Sequence, residues 1–504
     1  MNHESNTIPI VGARPGNGEN RAGARPAGDS EGQARLGSKA HITLVNMNLL
    51  YIRLDDRIDY EAHPPLGLLY LTSVLEQKGF SVDLVDYQIL PRIRRDADPF
   101  DLDTALRYIG ETAGIVGFSC MANLLPFTIL VAERLKQLHP EKTILLGGVG
   151  PFGVEPLILE RFSWIDIVVQ GEAENTLPHL LKVLPDMGGL SRIPGIFYRR
   201  ADGSVHHTGR VHRICDLDTL PLPAYHRIDM GAYDAFGIVT SRGCPYACRF
   251  CSVAPVWDRS TTYRSHDNII AEIRLLHETY GVTTILFQDE FFYSSEAKIL
   301  DFCDSLQASG LQVRWKCYGR VNLVTERAMK RMAQTGCTQL RFGIESGSDR
   351  VLKKVVKGFS VRDSLESVTI ALGIFDSVET FFIWGFPFED MDEFYETALQ
   401  MARFRQMGVT VLPSLFSMLP QTDIYREYHK GSYDGALTLV PELVPIYVVT
   451  GHEIVDTWNA VPDNYRPYYD FIGAHADIFP GFFLFNHETN VLPKYKALRE
   501  MGFA

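Results

Sequence analysis

Three cysteines stand within eight residues in the stretch Ser241-Arg242-Gly243-Cys244-Pro245-Tyr246-Ala247-Cys248-Arg249-Phe250-Cys251, spaced C-x3-C-x2-C. Thiolates crowded on one short loop are metal ligands before they are anything else. A structural zinc site wants four ligands, and no further Cys or His lies at finger-like spacing, His266 and Cys303 being the nearest beyond the loop. Three thiolates can instead hold three irons of a cubane iron–sulfur cluster. The fourth iron is then left without a protein ligand, which makes it a place for chemistry as well as for storing an electron.

The elements that must position this loop are legible on both sides of it. Gly237-Ile238-Val239-Thr240 reads as a strand feeding the cysteines. Further apolar runs follow at Thr284–Phe287, Val313–Cys317, Thr338–Phe342, Phe381–Trp384 and Val409–Leu412, separated by segments of helical period. Six strands with helical crossovers predict a partial (β/α)6 TIM-type barrel over 235–430, with working residues at the strands' C-terminal ends. Polar clusters fall at those ends: Asp289 and Glu290, Arg320 and Asn322, Glu345, and the Gly385-Phe386-Pro387 turn. Lys353, Lys354 and Lys357 read as a solvated helix face.

Upstream, strand signals at His41–Val45, Ser81–Asp86, Gly114–Ser119, Thr143–Gly148 and Ile165–Val169 alternate with helical ones. That pattern predicts a doubly wound parallel sheet over 39–190. Its ligands would sit beyond the strands' carboxyl ends. Residues 191–234 read as a connector with a hairpin around Ala201-Asp202-Gly203, and Cys215 there as half-buried. Residues 1–38, rich in Gly, Ala, Pro and Arg, predict a disordered leader. The aromatics of 431–504 would form a small helical core or line the barrel mouth, and this last segment is expected to be mainly helical.

Composition bounds the function. With 49 basic and 61 acidic residues the net charge is −12, which argues against nonspecific nucleic-acid binding. Eight cysteines in 504 residues are too sparse for a disulfide scaffold and point to a reducing, cytoplasmic setting. No run of about 18 apolar residues indicates a membrane span.

The cysteine loop resembles the signature of radical S-adenosylmethionine (SAM) enzymes, and the N-terminal half is similar to the cobalamin-binding, Rossmann-like domain found ahead of one class of them. The resemblance implies a [4Fe-4S] cluster on Cys244, Cys248 and Cys251, SAM and cobalamin. It implies that Phe250 packs on the adenine of SAM, that Asp289 and Glu290 meet SAM or substrate, and that Arg320 and Glu345 serve the same cofactor site. Backbone around Gly385 would frame the adenine, and Gly147, Gly148 and Gly150 would let the nucleotide tail of cobalamin pass the sheet. Pro64–Leu71 and Gly171-Glu172-Ala173-Glu174 resemble the same family's framework. The Asp-x-His-x-x-Gly motif that supplies cobalt with a histidine elsewhere is absent, and His63 reads as a surface residue at a helix start.

The implied reaction is methylation of an unactivated carbon of a small molecule, through a 5′-deoxyadenosyl radical and methylcobalamin, with an external electron donor such as flavodoxin or ferredoxin. A cobalamin-dependent cyclisation or ring contraction and a non-catalytic sensor stay open as alternatives. A methylthiotransferase would need a second set of N-terminal cysteines, and residues 1–200 hold only Cys120.

Overall fold

The computed structural model describes residues 39–48, 62–94, 97–444, 461 and 463–503. The expected leader, Tyr447 and Trp458 lie outside the described residues.

The first strand, Ile42–Asn46, is buried at every position, as a strand covered on both faces must be. It sits inside a seven-stranded sheet with Val82–Asp86, Ile115–Ser119, Thr143–Gly147, Ile167–Val169, Ile196–Arg199 and Val205–His207. The spatial order is second, first, third to seventh. The first five strands pair in parallel and the last two antiparallel. The order reverses between the first and third strands, where open α/β sheets bind ligands. The hairpin expected in the connector therefore extends this sheet. Helix Leu66–Gln77 covers one face. It stops at Gly79, whose φ of +85° admits the reversed N–H bond from Phe80 to the Leu75 carbonyl.

The second half is a six-stranded parallel sheet: Phe236–Ile238, Thr284–Phe287, Arg314–Gly319, Cys337–Glu345, Ser377–Trp384 and Thr410–Leu415. Each strand lies beside its neighbour in sequence, and the two ends do not join, giving the open barrel expected. In Ser377–Trp384 burial alternates residue by residue, the period-2 signature of one face turned to a core.

The C-terminal segment contributes helices Arg466–Ala474 and Leu492–Glu500 and strand Phe483–Phe485, which pairs with Leu437–Leu439. Tyr468, Tyr469, Phe479, Phe482, Phe483 and Phe485 are buried, so these aromatics are core. The segment clasps both halves. His475 stacks on Phe162 of the N-terminal half at 5.0 Å, and Asp477 pairs with Arg161 at 2.5 Å. On the barrel side, Lys494 pairs with Glu389 at 2.9 Å.

Two polar knots hold the halves together. Glu272 of the barrel, fully buried, accepts from Tyr70 of the N-terminal half (3.2 Å), Tyr225 of the connector (2.7 Å) and Arg264 (2.5 Å). In the second, Arg242 reaches Glu172 at 2.9 Å and Glu174 at 2.7 Å. Among the described residues no helix is long and apolar enough to cross a membrane.

Candidate active site

The cysteine loop is anchored before its first cysteine. Asp289 Oδ1 accepts from the backbone N–H and hydroxyl of both Thr240 and Ser241, at 2.7–2.9 Å. Gly243 follows at φ +96°, where a Cβ would stand 2.2 Å from the Ser260 carbonyl oxygen, so only glycine passes. Midway, Arg249 donates its N–H to the Val355 carbonyl (3.1 Å), its guanidinium to the Lys354 carbonyl (2.8 Å), and pairs with Glu427. The loop is thus stapled at its root and at its tip.

Within it Cys248 is buried, and Cys244 and Cys251 are half-buried. Charge on either of the other two thiols raises the proton affinity of Cys244, which marks the three as neighbours. Burial pushes the Cys244 thiol up to about 11 and Cys251 upward too. Ligation requires thiolates, so iron binding here releases protons. Among the described residues no three His, Cys, Asp or Glu side chains converge on a single ion. A cubane takes its ligands on separate iron corners, and three thiols on one short loop suit it.

Arg320 lies against this loop. Its guanidinium is 3.9 Å from Cys248 Sγ and 3.8 Å above the Tyr246 ring, and it donates to Asn322 Oδ1 (3.0 Å) and to the Lys357 carbonyl. Glu345 sits at a bulge with φ +72° and pairs with Lys357 at 2.6 Å, both buried. This corrects the reading of Lys357 as part of a solvated face. Helix Asp349–Lys354 ends before it, and its ammonium turns inward to 5.8 Å from the Phe250 ring. Phe250 in turn lies 6.0 Å from Phe386, next to Gly385. Phe250, Arg320 and Glu345 are therefore gathered around the cysteines, with Gly385 one residue from the ring that Phe250 faces.

Asp289 and Glu290 part company. Asp289, expected to meet SAM or substrate, is buried and committed to Thr240 and Ser241; burial pushes its carboxyl up to about 7 despite those donors. Glu290 opens into a cavity of about 360 Å³ along the seam between the halves. One wall of that cavity is an apolar slot between the N-terminal sheet (Leu44, Gly117, Leu145) and its helices (Leu68, Leu71, Leu177). The other is Val239, Arg242, Trp257 and Glu290 at the root of the cysteine loop. A flat, largely apolar group such as a nucleotide base fits the slot, so the residues present suit cobalamin.

The glycines divide as well. Gly147 and Gly148 line the cavity and Gly150 does not. A Cβ on Gly148 or Gly150 would stand 2.6 or 2.8 Å from the carbonyl oxygens of Cys120 or Met121. Both positions are thus bare where one loop packs closely against another. Cys215 is exposed, not half-buried.

Sequence reasoning missed Lys357, the Arg249–Glu427 staple and the role of Arg242. The Gly171-Glu172-Ala173-Glu174 signal was visible without its partner, and nothing in the sequence pairs it with an arginine some 70 residues on.

Residues 238–401 match the model of the Radical SAM superfamily and residues 59–181 that of the B12 binding domain. An uncharacterized methyltransferase of Pyrococcus horikoshii is 30% identical over 345 residues, 68% of this chain and 73% of that protein. The anaerobic magnesium-protoporphyrin IX monomethyl ester cyclase of Synechocystis is 26% identical over 63% of this chain and 64% of its own length. The fold is shared with the cobalamin-dependent SAM radical enzyme OxsB, solved with aqua-cobalamin and SAM bound, at a TM-score of 0.62 and 18% identity, covering 86% of this chain and 71% of that one. With a cysteine loop suited to a [4Fe-4S] cluster, a SAM-binding barrel and a sheet that takes cobalamin, the chain belongs to the radical SAM enzymes that carry a B12-binding domain, of the methyltransferase type.

Proposed function

We propose that this enzyme methylates an unactivated carbon of a small-molecule substrate held at the seam between its two halves. The observation that carries the reading is the cavity at that seam, walled on one side by the sheet and on the other by the root of the cysteine loop. When bound, the cluster and SAM supply a carbon-centred radical and cobalamin a transferable methyl group.

The chain's own residues bind, orient and shield. Cys244, Cys248 and Cys251 hold the cluster, with Arg320 beside Cys248. Phe250, the Glu345–Lys357 pair and the Gly385 turn form the SAM site. The apolar slot and the rim at Gly147 and Gly148 take cobalamin. Glu290 faces the cavity from the barrel side, so it is the candidate to meet substrate. A donor of the flavodoxin or ferredoxin kind supplies the electron.

The test is anaerobic reconstitution with iron, sulfide and cobalamin, followed by SAM and reductant. The expected result is retained cobalamin and formation of 5′-deoxyadenosine that disappears in Cys248→Ala. Absence of deoxyadenosine from the intact protein, or failure to retain cobalamin, overturns the reading. The similarity to a cyclase favours one second reading, a non-methylating radical reaction in the same site. Product mass separates the two, since only methylation adds a methyl group to the substrate.

A further inference from the structure

The Gly385 peptide is held from outside the barrel strand that carries it. Gly385 stands at φ +85°. Its N–H donates to Glu389 Oε2 at 2.7 Å, and its carbonyl accepts from Asn490 Nδ2 at 3.0 Å. Asn490 Oδ1 in turn accepts from Lys494 Nζ at 2.6 Å, and Lys494 also donates to Glu389 Oε2 (2.9 Å) and to the Glu389 carbonyl (2.7 Å). The side chains of Lys494 and Glu389 are 1% and 0% exposed, so the bonds that meet on Glu389 are shielded from water, while Asn490 is half-buried. Glu389 Oε1 is buried without a hydrogen-bond partner. Gly385 N–H and the ammonium thus converge on one oxygen, and the carboxylate depends on both.

We propose that Asn490 and Lys494 of the C-terminal segment are positioning residues for SAM, latching the Gly385 turn in the conformation that receives the cofactor. The proposal rests on the reading that this turn frames SAM. Both backbone polar groups of Gly385 are tied, its N–H through Glu389 and its carbonyl through Asn490, so the peptide planes on either side of its Cα are each held while the latch is closed. The segment that supplies the latch also grips the N-terminal half through Arg161–Asp477 and the Phe162–His475 stack. The SAM turn and the sheet are thereby referred to one common support.

The test measures SAM binding by anaerobic equilibrium dialysis on the protein reconstituted with cluster and cobalamin. Asn490→Ala removes the hydrogen bonds to the Gly385 carbonyl and from Lys494 but leaves the buried ion pair, and it should raise the SAM Kd about three- to tenfold. Lys494→Met should raise it further, by about tenfold or more, since it strands a buried carboxylate. Cobalamin content and cluster absorbance should stay at the parent level in both, which general loss of structure would not allow. If Lys494→Met does not fold, Asn490→Ala decides alone. A SAM Kd within twofold of the parent in folded Asn490→Ala overturns the latch. Gly385→Ala, whose Cβ would stand 2.8 Å from Leu415 Cδ1, separates the two levels. If it weakens SAM while Asn490→Ala does not, the latch fails and the turn's role stands. If it too leaves SAM binding unchanged, the reading of the turn itself fails.

Discussion

Replacing Arg242 by methionine asks whether the N-terminal half positions the cysteine loop. Arg242 stands two residues before Cys244, and its guanidinium spans Glu172 and Glu174 with side-chain exposures of 12%, 3% and 9%. Glu172 keeps one other bond, from the Ile214 N–H at 2.7 Å. Arg242→Met therefore leaves two carboxylates poorly hydrated with their shared cation gone. Removing one member of a buried ion pair costs about 3–5 kcal/mol, and partial access to the cavity places the expected loss at the lower end, about 3 kcal/mol. The compensated variant Arg242→Met with Glu172→Gln and Glu174→Gln should recover most of it, because the stranded charges are removed together. Urea unfolding of the cofactor-free protein, followed by tryptophan fluorescence, is the assay, with Trp257 in the wall of the same cavity as a local reporter. A loss under about 1 kcal/mol in the single variant would mean the triad is solvated and does no docking. Equal losses in the single and the compensated variants would refute the electrostatic account, leaving lost packing as the cause.

Three further outcomes follow from the site. Asp289 has its carboxyl pushed up to about 7 from an ordinary 3.8, so the folded protein holds a proton that the unfolded chain releases between those values. Stability should therefore fall as pH rises from about 4 to 7, and urea midpoints across that range should fall less in Asp289→Asn. Val356 adopts φ +58° and is 47% exposed, a conformation costly for a β-branched residue. Val356→Gly should stabilise the fold by about 0.5–1 kcal/mol net of glycine's entropy, and a lower urea midpoint would contradict that. Lys357→Met should destabilise by about 3–5 kcal/mol and Lys357→Met with Glu345→Gln by clearly less, as measured by a double-mutant cycle.

The legibility of this protein in its sequence follows a physical line. Strands of the buried sheets announce themselves because burial on both faces demands continuous apolar runs, as at Ile115–Ser119. The cysteine loop is legible because its chemistry lies in spacing along one short segment. What escapes is anything set by a single-residue turn or by a distant partner. Asp289 and Glu290 are adjacent acids at one strand end, and one step of backbone sends the first to the loop root and the second to the cavity. Lys357 looks like the third lysine of a helix face, but the helix ends at Lys354 and left-handed Val356 swings the chain inward. The hairpin at Ile196–His207 was visible as a hairpin, whereas its docking on the sheet depends on the edge strand Ile167–Val169.

The knot on Glu272 makes the two halves of this enzyme poor interchangeable parts. One carboxylate, fully buried, draws its donors from the sheet domain, the connector and the barrel. A chimera that grafted this barrel onto another protein's cobalamin sheet would need a phenol where Tyr70 stands, and a connector that returns one at Tyr225. Otherwise Glu272 and Arg264 would face each other across an incomplete shell. Recombination breakpoints that respect the domain boundaries but ignore these tyrosines should yield insoluble hybrids, while those that carry both along should yield soluble ones.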